Sequence, residues 1–246
     1  MSPAEIVAVA LLMAAAATLY SSVGHGGASA YLAIMALFAL PAEVMRPTAL
    51  VLNLLVSGVA AVRFLRAGQF NLRLFLLFAA GAVPFAFLGG YLALPGEFYR
   101  PLVGILLWFA ALRLLWSPVV PADRALRRPS LWIGLPTGSA IGLLAGLTGT
   151  GGGIFLSPLI LLFRWEVPRR TSGVAAAFIF VNSAAGLAGN VSSLTALPPG
   201  LPVFVAAVAL GAAAGTWLGV ERLPRRKLEQ ALGLVLVVAG AKLIFT

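Results

Sequence analysis

Thr148-Gly149-Thr150-Gly151-Gly152-Gly153, TGTGGG at residues 148–153, stands between two apolar runs, Leu131 to Thr148 and Ile154 to Phe163. A shorter counterpart, Val23-Gly24-His25-Gly26-Gly27, stands in the same way between Ile6 to Val23 and Ala28 to Leu40. Glycine is a poor helix former, so each cluster breaks the run that contains it. Close packing explains part of the glycine usage: Gly138, Gly142 and Gly146 recur every fourth residue and read as a small-residue packing stripe. It does not explain Gly151 to Gly153, because three consecutive glycines cover every face of a helix. A helix that restarts after such a break points unpaired N–H groups and the positive end of its dipole at the gap, which suits an anion.

Composition sets the class. The chain has 246 residues, is 61% hydrophobic and 10% charged, and has a mean hydropathy of +1.03, the profile of a polytopic membrane protein. It has no cysteine, which excludes disulfides, thiolate metal sites and cysteine nucleophiles. One histidine cannot supply the H-E-x-x-H of a metalloprotease, and no G-x-S-x-G is present, so neither an intramembrane enzyme nor a cofactor is expected. The net charge of +10 sits in short loops between apolar runs, which points to membrane topology and not to nucleic acid. The expected partners are the lipid bilayer and a small anion. No basic stretch precedes Ile6, so Ile6 onward is expected to be a retained first helix.

Ten apolar segments follow one another in two sets of five. The first set is Ile6 to Val23, Ala28 to Leu40, Thr48 to Val62, Leu72 to Leu94 and Pro101 to Leu115; the second is Leu131 to Thr148, Ile154 to Phe163, Ser172 to Val191, Leu201 to Val220 and Leu228 to Phe245. Between them Ser117 to Ser130 is rich in Pro and Arg. The sets match in order: Gly24, Gly26 and Gly27 with Gly149, Gly151 and Gly152, Asn53 with Asn182, Gly81 with Gly211, Gly104 with Gly233, and Arg113 with Lys242. Such ordered matches indicate a duplication.

Charge then selects the orientation of the halves. If each glycine cluster turns the chain back, each half has five segments and the halves are inverted. All but Arg46, Arg100 and Lys242 of the 17 Lys and Arg residues then fall on one side, as the positive-inside rule requires. If each cluster only kinks a single span, the basic residues divide almost evenly. The expected fold is therefore an all-α polytopic membrane protein of two inverted repeats, with Gly-rich hairpins meeting near the bilayer midplane. Residues 1–116 form the first repeat, 117–130 a cytoplasmic linker and 131–246 the second repeat, with both termini outside a bacterial inner membrane.

The candidate binding residues cluster at the two tips: Ser21, Ser22, Gly24, His25, Gly26 and Gly27 in the first half, and Thr148, Gly149, Thr150, Gly151, Gly152 and Gly153 in the second. Their hydroxyls donate without carrying charge. His25 either binds an anion, passes a proton or serves as a hydrogen-bonded structural residue. Asn53 and Asn182 lie within apolar segments, where an amide needs a partner; they either face the same centre or bond across helices. All seven acids lie at segment ends, so no buried carboxylate relay is expected. The tryptophans read mostly as interfacial anchors.

The run GLLAGLTGTGGGIFLSPL at 142–159 and its twin YSSVGHGGAS at 20–29 resemble the TauE/SafE family of membrane anion exporters. The twin departs from the pattern at Ala28, where its partner has Gly153. The resemblance covers the whole chain. It implies a secondary transporter of sulfite, organosulfonates or related anions, with protons as the candidate coupling ion. The alternatives are a passive anion channel and a carrier of another small carboxylate or oxyanion.

Overall fold

A computed structural model of the chain describes residues 1–21, 26–92, 94–115, 126–217 and 225–245. Among these, regular structure is helical throughout. The helices are α1 (Pro3–Ser21), α2 (Ala28–Leu37), α3 (Ala42–Arg66), α4 (Leu72–Tyr91), α5 (Gly96–Leu115), α6 (Leu131–Thr148), α7 (Gly153–Leu162), α8 (Pro168–Gly189), α9 (Leu201–Trp217) and α10 (Arg225–Phe245), with a 3-10 turn at Val191–Ala196. Five of them, α1, α3, α4, α6 and α8, are long and apolar enough to cross a membrane. The protein is an all-α polytopic membrane protein. Most of the expected linker, residues 117–125, lies outside the described residues.

The helices repeat as the sequence segments do. The second member of each set is a 10-residue helix, about 15 Å long and half of the ~30 Å hydrocarbon core. Both short helices end in the same turn. Ala39 and Arg164 adopt left-handed φ values of 55° and 57°. The N–H groups of Leu40 and Trp165 then reach back to the carbonyls of Met35 and Ile160, at 3.0 and 2.8 Å, closing a Schellman motif at each end.

The halves join through glycine. A Cβ added at Gly138, Gly142 or Gly146 on α6 would fall on the carbonyl oxygen of Phe78, Ala82 or Ala86 on α4. The expected packing stripe is therefore the contact between α6 and α4, and Gly81 and Gly89 on α4 return it against Leu135 and Leu143. α9 meets α1 in the same manner, with Gly211 and Gly215 on the carbonyls of Ala14 and Thr18. Both pairs run parallel. Two further inter-half contacts join equivalent helices running in opposite senses, and α8 also packs on α4, with Gly189 on the Phe87 carbonyl and Gly90 on that of Gly186. On α3 and α8, Leu50 lies by Gly186 and Phe64 by Gly173; on α5 and α10, Gly104 lies by Gly240 and Ala111 by Gly233.

Four expectations are corrected. α3 runs from Ala42 to Arg66, not from Thr48 to Val62, and Pro47 sits inside it. Arg46 is consequently not a loop residue: it is buried, and its guanidinium donates to Leu92 at 3.0 Å, to Gly89 at 2.8 Å and to Gly90, the exposed carbonyls at the end of α4. Glu166 is a buried carboxylate, held by the Asn71 amide at 2.5 Å and the Val167 N–H at 3.0 Å. Trp165 is no interfacial anchor, because it packs between Phe163 and Phe78 with ring centroids 5.1 and 5.5 Å apart. Trp132, 90% exposed at the start of α6, fits the anchor role, whereas Trp116 and the Trp217 side chain lie outside the described residues.

The glycine contacts make a direct prediction about stability. Gly142→Leu forces α6 away from the Ala82 carbonyl and is expected to destabilise by about 1–3 kcal/mol. Gly96→Ala, which meets no atom within 4 Å, is expected to stay within about 0.5 kcal/mol. Thermal unfolding of the detergent-solubilised protein compares them.

Candidate functional site

The turn between α6 and α7 is built from left-handed glycines. Gly149, Gly151 and Gly152 have φ of +83°, +71° and +81°, and Gly27, which precedes α2, has +84°. An L-residue in this region costs about 1–2 kcal/mol, which accounts for glycine at these four positions. Gly27 and Gly152 are the N-caps of the two short helices, and neither cap supplies a side-chain acceptor. The first N–H groups of α2 and α7 therefore open on the gap ahead of each helix.

The two gaps are one place. A small cavity, with room for roughly one water molecule, is lined by Tyr20, Gly26, Gly27, Ala28 and Ser29 from the first half and by Thr150, Ile154 and Ile179 from the second. Asn53 stands against both tips. A Cβ added at Gly26 would strike Asn53 Oδ1, and one added at Gly151 would lie 2.7 Å from Asn53 Nδ2. Asn53 is fully buried, and neither atom of its amide has a hydrogen-bond partner. Two further unpartnered hydroxyls adjoin the tips: Ser183, 3.1 Å from the Cβ position of Gly151, and Tyr31, 2.7 Å from that of Gly27. Buried polar groups are nearly always paired, so such a concentration marks a polar centre and not a packing core.

The remaining expected residues divide. Thr150 lines the cavity, whereas Thr148 turns back to the Leu144 carbonyl at 2.6 Å and touches Thr150 Oγ1 at 3.1 Å. Gly153 is the first residue of α7 and packs on Ile179. Ser21 faces α9, 3.3 Å from the Ala212 carbonyl. Asn182 donates to the Phe178 carbonyl at 2.9 Å, while its Oδ1 has no partner. Ser22, Gly24 and His25 lie outside the described residues.

Sequence reasoning missed Tyr20, Ser29, Tyr31, Ile179 and Ser183. Ile179 and Ser183 carried a usable signal: they stand three residues before and one after Asn182, on a helix already singled out. The second tip is held from outside. Tyr99 donates to the Thr148 carbonyl at 3.0 Å, and the carbonyl of Arg46 lies 3.0 Å from the Cβ position of Gly149.

Comparison with known proteins agrees with a membrane protein. Over 244 residues the chain is 36% identical to the "Probable membrane transporter protein y4hK" of Sinorhizobium fredii (strain NBRC 101917 / NGR234), covering 98% of this chain and 99% of that protein. No solved structure matches. Residues 9–243 match the family described as Sulfite exporter TauE/SafE. With the match spanning both glycine tips and all the helices around them, the chain belongs to the TauE/SafE family of membrane transporters.

Proposed function

We propose that this transporter carries a small sulfur-containing anion, sulfite or an organosulfonate, out of the cell as a secondary exporter. The observation that carries the reading is the convergence of two uncapped helix starts, one from each half, on a single cavity backed by an unpartnered amide. Each helix start contributes about half a positive charge, and buried neutral donors supply the rest. A small oxyanion satisfies both in a conformation of the transport cycle in which this space, here the size of about one water molecule, is wider. The Sulfite exporter description of the family names one.

Alternating access is the mechanism we favour, with one repeat rocking against the other about the paired tips. The parallel contacts of α1 with α9 and α4 with α6, and the antiparallel contacts of α3 with α8 and α5 with α10, are those expected of two inverted repeats, 1–116 and 131–246. The hairpins are unequally held. Every residue of α2 from Ala28 to Ala36 is buried, and its end is held by Lys242, whose Nζ donates to the Leu37 carbonyl at 2.9 Å. In α7 only Gly153, Leu156, Ser157 and Ile160 are buried, and Leu162 is 68% exposed. An exchange of these two environments between the halves would turn the cavity toward the opposite face. The protein resides, in this reading, in a bacterial inner membrane with the linker 117–130 cytoplasmic and protons as the coupling ion.

Because the chain lacks cysteine, topology is open to single-cysteine labelling. Ser2→Cys is expected to react with an impermeant maleimide in intact cells, and Ser130→Cys only after permeabilisation; the reverse pattern contradicts the orientation. In proteoliposomes, Gly151→Leu is expected to abolish sulfite flux, and Asn53→Asp, which sets a carboxylate between the tips, to lower it at least about tenfold by charge repulsion. Equal flux at matched protein levels would remove the tips from the pathway.

A further inference from the structure

Among the described residues the charge at the tips comes from the two helix starts, and that limits what they take. Two helix starts supply about one positive charge between them. The described residues that line the cavity or press on the tips, Tyr20, Ser29, Tyr31, Asn53, Thr150, Ile154, Ile179 and Ser183, add no cationic side chain. Arg46, whose backbone touches Gly149, turns its guanidinium away onto the carbonyls of Gly89, Gly90 and Leu92, so its charge is spent on the end of α4. Tyr99 beside it donates to Thr148.

Asn53 adds a second constraint. Its amide is buried and wholly unpartnered, with one end against Gly26 and the other against Gly151. Whichever way the amide is turned, it presents a donor to one tip and an acceptor to the other. A fully deprotonated oxyanion satisfies the donor and is repelled by the acceptor. An oxyanion that retains one acidic proton satisfies both, and its single charge equals that of the two helix starts.

We infer that the site between the tips recognises a proton-bearing oxyanion of one negative charge, which selects sulfite over an organosulfonate among the proposed substrates, with hydrogensulfite and not the sulfite dianion as the bound species. This rests on the reading of the tips as an anion site and deepens it. The proton then travels on the substrate, and transport at fixed total sulfite rises as pH falls through the neutral range where the two forms interconvert. Among the described residues no cationic side chain lines the cavity, which disfavours burial of a second negative charge there.

Flux of sulfite and of sulfate, a dianion throughout, is measured in proteoliposomes across neutral pH for the wild type and for His25→Gln and His25→Asn. The expected result is sulfite flux that follows the hydrogensulfite fraction, sulfate flux at least about tenfold lower, and the same pH profile in the histidine variants. Sulfate carried as fast as sulfite, or sulfite flux indifferent to pH, overturns the inference and leaves anion transport standing. A pH profile that vanishes in an active histidine variant also overturns it, by assigning the titration to His25. If neither variant is active, the wild-type sulfate comparison decides the charge. No flux of any anion refutes the anion site and this inference together.

Discussion

Backbone pressed directly on backbone between α4 and α6, and again between α1 and α9, is the contact on which the rest depends. A membrane offers little hydrophobic drive to bring one apolar helix onto another, so association comes from close approach and dispersion. Glycines at every fourth position of α6 permit that approach by leaving the α4 carbonyls room. The pairing crosses between the halves and fixes where α6 ends, and with it the place of the Gly149 to Gly152 turn. Arg46 and Tyr99 then hold that turn from the outer side.

Once the tips are fixed inside protein, broken backbone at membrane depth becomes tolerable and useful. Irregular chain is permitted there only where protein encloses it or a polar cavity receives it. Here the enclosure mixes polar and apolar groups. Asn53, Ser183 and Tyr31 stand against the glycines, while Ile154 and Ile179 close the cavity wall. Among the described residues neutral groups surround the centre, so that under the proposed function it binds through dipoles and leaves the ligand free to depart.

Much of this was legible in the residues because it follows from steric and charge rules acting locally. Ten segments, the two breaks and the Gly138, Gly142, Gly146 stripe were readable from spacing alone, and the partner of that stripe was not, since pairing is a tertiary choice. The place of Asn53 between the tips was visible as a costly amide with a counterpart at Asn182. Its contact with both tips at once was not. Arg46 was misread because a charge near a segment end is ordinarily solvated; only the exposed carbonyls of α4, far away in sequence, give a buried guanidinium its partners. Trp165 and Glu166 were misplaced for a related reason: their loop folds inward after the Arg164 turn, and Asn71 of the preceding half supplies the carboxylate's partner.

Under the proposed function two tips, one from each half, make a single anion site. Equilibrium binding of sulfite to the purified full chain tests it most directly, with Gly26→Leu and Gly151→Leu measured beside the wild type at matched folded fraction. The expected result is saturable binding by the wild type that is lost in both variants. Binding that survives in either one would mean that the site belongs to a single hairpin, and would contradict the account.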